Sequence, residues 1–244
     1  NRLLHLPLAL LGLSAATGIM PLLASRAASG DLVGLSAALR RGSQTLLLLI
    51  VAAAAGMHAL AEPIVRLLFE RGRFEHVHTL LLAEALRAYL WCLPAAALGG
   101  IIARAFLACG KLRFQALAAL TVVPINLVAD LLLVPHYGVA GAGWATAIAL
   151  SIQCLILLRG LRMLDIPGPL IQLRELPGLL APGAAAWGAA HLVQKSAGNP
   201  VLGVAGLALA ISAGAVAAGA TCALFRPKEF RDLLGAVGRR FRRR

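Results

Sequence analysis

The chain has 244 residues, of which 60% are hydrophobic and only 14% are charged, whereas a soluble domain carries about 25% charged residues. With a mean hydropathy of +0.84, the composition excludes a soluble globular protein and favours an integral membrane protein. The formal net charge of +13 does not indicate a nucleic-acid partner, because the Lys and Arg residues lie at the ends of apolar runs, where anionic lipid attracts them.

Seven apolar segments follow one another along the chain, each close to the roughly 20 residues that a helix needs to cross a bilayer. The predicted spans are residues 3–25, 43–61, 79–108, 114–134, 139–158, 177–193 and 200–225. We expect a tight turn at 135–138, between the fourth and fifth spans, because proline and glycine interrupt helices. The predicted fold class is an all-α integral membrane protein with seven transmembrane helices.

The basic residues are distributed unequally between the two ends of the spans. If the basic segment 226–244 is cytoplasmic, 17 of the 23 Lys and Arg residues lie on the cytoplasmic side and six on the other. A bias of this kind orients membrane proteins, and seven spans then place residue 1 outside. Because the chain starts directly before a span and without Met, we expect it to be the C-terminal part of a larger protein.

Ionisable residues inside the spans are candidates for function, because a charge in hydrocarbon costs at least about 2.5 kcal/mol. Asp130 follows Asn126 by one helical turn, so both side chains share one face. Thr146 in the next span faces them if the two spans pack antiparallel. Together with the backbone carbonyl of Ala142, these oxygens predict a site for a coupling sodium ion or a proton. The alternative interpretation is that Asp130 extends to the nearby membrane interface.

Three other polar features of the sequence suggest a structural or functional role. Arg2 and His5 share a face at the start of the first span, where a guanidinium suits a phosphate or diphosphate, although an arginine beside a span also serves as an interfacial anchor. Glu84 and Arg87 are expected to neutralise each other at i, i+3. The segment 62–72 is typical of a short amphipathic helix at the membrane interface.

Signatures of catalysis are missing from the sequence, which has no GxSxG, HExxH or Gly-rich phosphate loop. We therefore expect neither an enzyme nor a resident cofactor. From the residues alone, two classes remain, a transporter and a non-transporting scaffold or receptor with seven spans. A scaffold needs no arginine or carboxylate facing a cavity, so the positions of Arg2 and Asp130 distinguish the two.

Five segments in sequence order carry a resemblance to a known family. Residues 2–12, 20–31, 68–74, 103–111 and 130–141 resemble R-x-x-x-L-P-x-G-x-x-G, L-P-x-L-S-R-x-A-A-x-G-D, L-F-E-R-G-x-F, A-R-A-F-Y-A-x-G-D and N-L-L-L-V-P-x-x-G-x-x-G. These are segments of the MurJ (MviN) family of bacterial lipid II flippases, in the superfamily that includes MATE exporters and polysaccharide flippases. The sequence departs from the family pattern at Ala9, Leu107, Lys111 and Asp130, where the family usually has Gly, Tyr, Asp and Asn.

The resemblance implies a domain organisation. Residues 1–162 would form most of the second lobe of a fourteen-helix transporter, and residues 163–225 the two final spans with a groove for a lipid tail. Residues 226–244 would be a basic cytoplasmic tail. The N-terminal lobe of the same protein would be a missing partner, and the location would be the bacterial inner (cytoplasmic) membrane.

The resemblance also implies a function, the export of lipid II, the undecaprenyl-diphosphate-linked peptidoglycan precursor, by alternating access. Membrane lipids would be further partners. Arg2 falls on the arginine that lines the family's cavity, so contact with the diphosphate becomes its expected role. Within the superfamily, an O-antigen-type polysaccharide flippase and a MATE-like cation antiporter are the alternatives.

Overall fold

The computed structural model describes residues 14–70, 75–164, 166, 175–196 and 204–225. Within these ranges the chain forms helices and turns and no strand, which confirms the all-α class. The helices are α1 (Ser14–Ala28), α2 (Leu32–Ala59), α3 (Ala61–Phe69), α4 (His76–Leu90), α5 (Cys92–Ala108), α6 (Leu112–Leu120), α7 (Val122–Gly160), α8 (Leu176–Ser196) and α9 (Val204–Phe225). A 3-10 turn, Leu161–Leu164, follows α7.

Five segments of the described ranges are long and apolar enough to cross a membrane. They are Leu32–Ala59, His76–Ala108, Leu112–Leu164, Leu176–Lys195 and Gly206–Leu224. The third has 53 residues because it folds back on itself, so it accounts for the predicted fourth and fifth spans together. The predicted first span, 3–25, is described only from Ser14, where α1 begins.

Two helix breaks inside the predicted third and fourth spans have the same cause. Trp91 separates α4 from α5 and Thr121 separates α6 from α7, and both residues have φ −66° and ψ −22°. Each lies three residues before a proline, Pro94 or Pro124. A proline has no N–H to donate, and its ring clashes with the carbonyl four residues earlier. The predicted third and fourth spans are therefore two helices each.

The predicted start of the second span at residue 43 was too late, because α2 begins at Leu32. Arg40 and Arg41 lie inside this helix, ahead of the predicted start. The helix continues past them because Asp31 caps its first turn, accepting the backbone N–H of Gly34 at 2.7 Å. Arg40 is in turn neutralised by an ion pair with Glu175.

The turns before α2 and α6 have matching backbone hydrogen bonds but different cap residues. Asp31 donates its N–H to the carbonyl of Arg26, and Lys111 donates to that of Phe106. The Asp31 carboxylate caps α2 and also pairs with Arg26 at 2.6 Å. Two contacts hold the pKa of Asp31 below its usual range. The larger effect comes from the hydrogen bond with the Gly34 N–H, and the smaller from the hydrogen bond with the Arg26 guanidinium. Lys111 makes no side-chain cap bond.

We therefore expect Lys111→Asp to stabilise the protein. An aspartate at the cap position accepts a first-turn N–H, which contributes about 1 kcal/mol, and it replaces a cation at the positive end of the helix dipole. Thermal unfolding of the complete protein in detergent measures the gain. The reciprocal change Asp31→Lys should lower the stability, and equal melting temperatures for both variants would contradict the capping argument.

The tight turn predicted at 135–138 is confirmed, since Gly138 has φ 56° and ψ −136° and interrupts α7. A side chain in this left-handed region is strained, which explains the glycine. The arms on either side of the turn, 122–137 and 139–160, lie antiparallel. A Cβ at Gly141 would lie 2.5 Å from the carbonyl oxygen of Leu133, so the arms touch at backbone distance. We call the membrane side of this turn the hairpin side.

The second arm of the hairpin is packed and the first is exposed. A Cβ at Gly143 would lie 2.7 Å from the Cβ of Ala88 in α4, which shows how closely the second arm approaches that helix. On the first arm, Leu127, Leu131 and Leu132 are each more than half exposed. The second arm is therefore held against α4.

Replacing Gly141 with alanine should separate the two arms, because the added methyl group meets backbone atoms that cannot move aside alone. Overpacking of this kind costs typically about 1–3 kcal/mol, which would appear as a lower free energy of unfolding of the complete protein. Gly188→Ala is the matched control, since a Cβ at that helical position meets nothing within 4 Å. Equal losses for both variants would show that the close approach is unimportant.

Candidate functional site

A polar group lies between the two arms of the hairpin, in an otherwise apolar segment. With its amide oriented so that both ends are satisfied, Asn126 donates to Oδ2 of Asp130 at 3.1 Å. In the same orientation it accepts from the backbone N–H of Thr146 at 3.1 Å. The hydroxyl of Thr146 donates to the carbonyl of Ala142 at 2.9 Å. The structure thus brings together the four residues that the sequence proposed as one site.

One oxygen of this group stands out because it has no partner. Oδ1 of Asp130 is buried and makes no hydrogen bond to any residue that the structure describes. A buried unpaired carboxylate oxygen is costly, and a cation or a proton would satisfy it. The oxygens of Asp130, Asn126, Thr146 and Ala142 are the hard ligands that a sodium ion prefers, so the donor set fits such an ion.

The other predicted site residues, Arg2 and His5, lie outside the described residues. Of the remaining charges inside spans, Arg104 donates to the carbonyl of Gly100 at 2.8 Å, one turn earlier on its own helix. The expected pairing of Glu84 with Arg87 is wrong, because the structure describes both side chains and they form no ion pair. An exposed i, i+3 pair contributes only about 0.2–0.5 kcal/mol, too little to hold the two chains together.

An ion pair without any sequence signal joins the start of α8 to α2. The Glu175 carboxylate pairs with Arg40 and accepts from the buried amide of Gln44 at 2.7 Å. The partners are 135 and 131 residues apart in sequence, and no local pattern joins residues so far apart. This contact fixes one end of α8 against the bundle.

An apolar groove runs between α2, α8 and α9, with a volume of about 460 Å³. Small side chains form much of its wall, among them Gly56, Ala186, Ala190, Ala210 and Gly214. A Cβ at Gly214 would lie 3.2 Å from the carbonyl oxygen of Ala186, so α8 and α9 pack closely along this wall. The groove thus involves the two helices for which a lipid-tail groove was expected, and α2 forms its remaining wall.

The amphipathic segment predicted at 62–72 corresponds to α3. Arg66 bonds to Glu62 at 3.0 Å and to Glu70 at 3.3 Å on its polar side, and Val65 is buried on the other. The Thr79 hydroxyl donates to Glu70 at 2.8 Å. This hydrogen bond lowers the pKa of Glu70, and the charges of Arg66 and His76 lower it further. The same bond connects the end of α3 to the first turn of α4.

The fold and the polar group inside it define a polytopic helical membrane protein. Residues 1–194 match the family model described as lipid II flippase MurJ. The chain therefore belongs to the MurJ family of lipid II flippases, which are transporters.

Individual relatives agree with the family match. A probable lipid II flippase MurJ from Rhizobium meliloti is 32% identical over 157 residues, covering 64% of this chain and 29% of that protein. The lipid II flippase MurJ of Burkholderia cenocepacia is 29% identical over 169 residues, covering 69% and 33%. The chain thus spans about a third of the length of these relatives.

A solved structure agrees with the fold. The structure titled lipid II flippase MurJ, inward closed conformation, superposes with a TM-score of 0.77 at 22% identity, covering 96% of this chain and 46% of that one. The match confirms the helical fold, which corresponds to a little under half of that structure.

Proposed function

We propose that the complete protein to which this chain contributes moves lipid II across the bacterial cytoplasmic membrane by alternating access. The observation that carries the proposal is the match of residues 1–194 to the lipid II flippase family, together with a fold similar to a flippase structure. An N-terminal lobe of the same protein would supply the other half of the cavity. The protein would break and form no covalent bond in its substrate, so it would not be an enzyme.

We propose that the hairpin group couples transport to an ion gradient. The unpaired buried oxygen of Asp130 and the bond from Asn126 to its other oxygen favour a site between the arms over extension to the interface. A sodium ion there would be held by Asn126, Asp130, Thr146 and the carbonyl of Ala142, and a proton would reside on Asp130. Each elementary charge that crosses 100 mV gains about 2.3 kcal/mol, which is enough to drive a conformational step.

We propose that the groove between α2, α8 and α9 receives part of the polyprenyl tail. Its apolar wall and lateral position suit an isoprenoid chain, and the small side chains leave room for one. The excess of Lys and Arg expected at one end of the spans supports a cytoplasmic C-terminus. Arg2 and His5 would contact the diphosphate from the first span.

Reconstitution of the complete protein in liposomes tests the function. Lipid II labelled on its peptide should become accessible to an external reagent faster than in empty liposomes. An undecaprenyl-diphosphate-linked O-antigen unit and a MATE-type organic cation serve as comparison substrates. Preferential movement of either comparison substrate would assign the protein to another branch of the superfamily. Absence of transport for all three, with the protein folded, would favour a membrane scaffold.

A further inference from the structure

Three aromatic side chains from three helical segments meet, with an arginine one helical turn away, at a place that the proposed transport function does not use. Trp91 and Trp144 stack with ring centroids 6.4 Å apart and planes inclined by 24°. His58 meets Trp91 edge-on at 6.5 Å. Arg87 lies one helical turn before Trp91, on the same face, and is close enough to His58 to act on it electrostatically. We call these residues the tryptophan–arginine cluster.

The cluster is open to its surroundings and carries a charge without a counter-charge. Trp91 is 60% and Trp144 40% exposed. Arg87 is half-buried, yet it forms no ion pair or hydrogen bond with any residue in the described part of the chain. The nearest carboxylate along the helix, that of Glu84, is exposed and not paired with it. A guanidinium in this setting lacks the anion that it would ordinarily bind.

Helix lengths place the cluster at a membrane boundary. The segment His76–Ala108 has 33 residues, about 50 Å of helix at 1.5 Å per residue, whereas the hydrocarbon core is about 30 Å thick. If the turn at Gly110 marks one boundary, some 20 residues of helix reach the other near Arg87. His58 lies at the end of α2, and Trp144 six residues beyond Gly138, so all three segments put the cluster at the hairpin-side boundary.

At this depth the surrounding molecules are the headgroups of one leaflet. Indole rings concentrate at the interface because one edge is apolar and the other donates a hydrogen bond. A guanidinium binds phosphate oxygens through two parallel N–H groups. The position, the exposed rings and the unmatched positive charge all complement a phosphate that is attached to acyl chains.

We propose that the tryptophan–arginine cluster binds the headgroup of a phospholipid in the hairpin-side leaflet. The guanidinium of Arg87 holds the phosphate, and the stacked rings of Trp91 and Trp144 pack against the glycerol and the upper acyl chain. His58 fixes the orientation of the Trp91 ring. The cluster shares no residue with the hairpin group or the apolar groove, although Trp144 lies two residues from Thr146 on the same arm, and it does not depend on which substrate is transported.

The test uses the complete protein, delipidated in detergent and titrated with dioleoylphosphatidylglycerol. Tryptophan fluorescence and lipid adducts in native mass spectra report binding. Arg87→Gln should weaken binding about fivefold, the effect of one arginine near anionic lipid, and Arg87→Lys should restore part of it. Trp91→Leu should remove most of the fluorescence change.

A matched control is available in the third tryptophan. Trp187 is 42% exposed and stacks on His191 at 5.0 Å, so Trp187→Leu should leave lipid binding unchanged. Dioleoylglycerol, which lacks the phosphate, should bind at least fivefold more weakly than the phospholipid. The proposal is overturned if dioleoylglycerol binds equally well, if inorganic phosphate alone saturates the site, or if Arg87→Gln binds like the parent. Failure of phosphatidylglycerol to bind the complete protein at all would also overturn the proposal.

Discussion

Substitution of Asp130 with alanine should abolish the ion dependence of transport by the complete protein. The change removes the one charge between the hairpin arms and the oxygen that has no partner. Removing a charged side chain that binds an ion directly weakens the binding of that ion by a factor on the order of ten to a hundred. Lipid II transport should be measured against sodium concentration at fixed pH and against pH at fixed sodium, since these two series separate the two candidate ions.

Two further variants separate charge from shape at this site. Asp130→Asn keeps the size of the side chain and can still contact Asn126, so it should lose ion dependence while retaining the folded state. Thr146→Val removes a hydroxyl that bonds one turn back to Ala142, and Thr221→Val removes the same kind of bond, from Thr221 to Ala217. Only Thr146→Val should alter the response to ions. If Asp130→Ala leaves both series unchanged, the hairpin group is structural.

Substitution of Arg2 with alanine should abolish complementation of a strain depleted of its own flippase. Arg2 lies outside the described residues, and the prediction rests on its place in the family segment R-x-x-x-L-P-x-G-x-x-G. A guanidinium holds a diphosphate through paired N–H groups that no neutral side chain supplies. The measurement is growth of the strain after its own flippase has been depleted, and an immunoblot checks that the variant is present at the normal level.

Arg2→Lys tests whether the charge alone is sufficient. Lysine supplies a point charge without the planar fork of donors, so we expect partial growth rather than full rescue. His5→Ala, three residues along on the same face, should have a smaller effect. Normal growth of Arg2→Ala at a normal protein level would remove this residue from the transport mechanism.

The hairpin shows what a sequence alone can predict. The i, i+4 spacing of Asn126 and Asp130 fixes a common helix face, and the Pro–Gly turn at 135–138 makes the following arm antiparallel. These two local rules were enough to place Thr146 opposite. The same reasoning gave the helical membrane class, because apolar runs of about 20 residues have few other stable forms.

Contacts between distant segments had no such local signal. Glu175 and Arg40 meet because α8 crosses α2, and nothing in either flanking sequence sets that crossing. Trp91 and Trp144 give no sequence signal, because single tryptophans are common in apolar segments of membrane proteins. The helix breaks before Pro94 and Pro124 were predictable, because proline has no backbone N–H to donate. The predicted Glu84–Arg87 ion pair does not form, because two side chains that are close on a helix need not contact each other.

The close contact between the hairpin arms has a consequence for biogenesis. While the ribosome is still making the second arm, the carboxylate of Asp130 has no Thr146 arm beside it, and the first arm alone would present this charge to lipid near the hairpin-side boundary. We therefore expect the two arms to leave the translocon for the bilayer as a pair. A nascent chain arrested shortly after Gly138 should remain bound to the insertion machinery, whereas one that includes the second arm should enter the lipid.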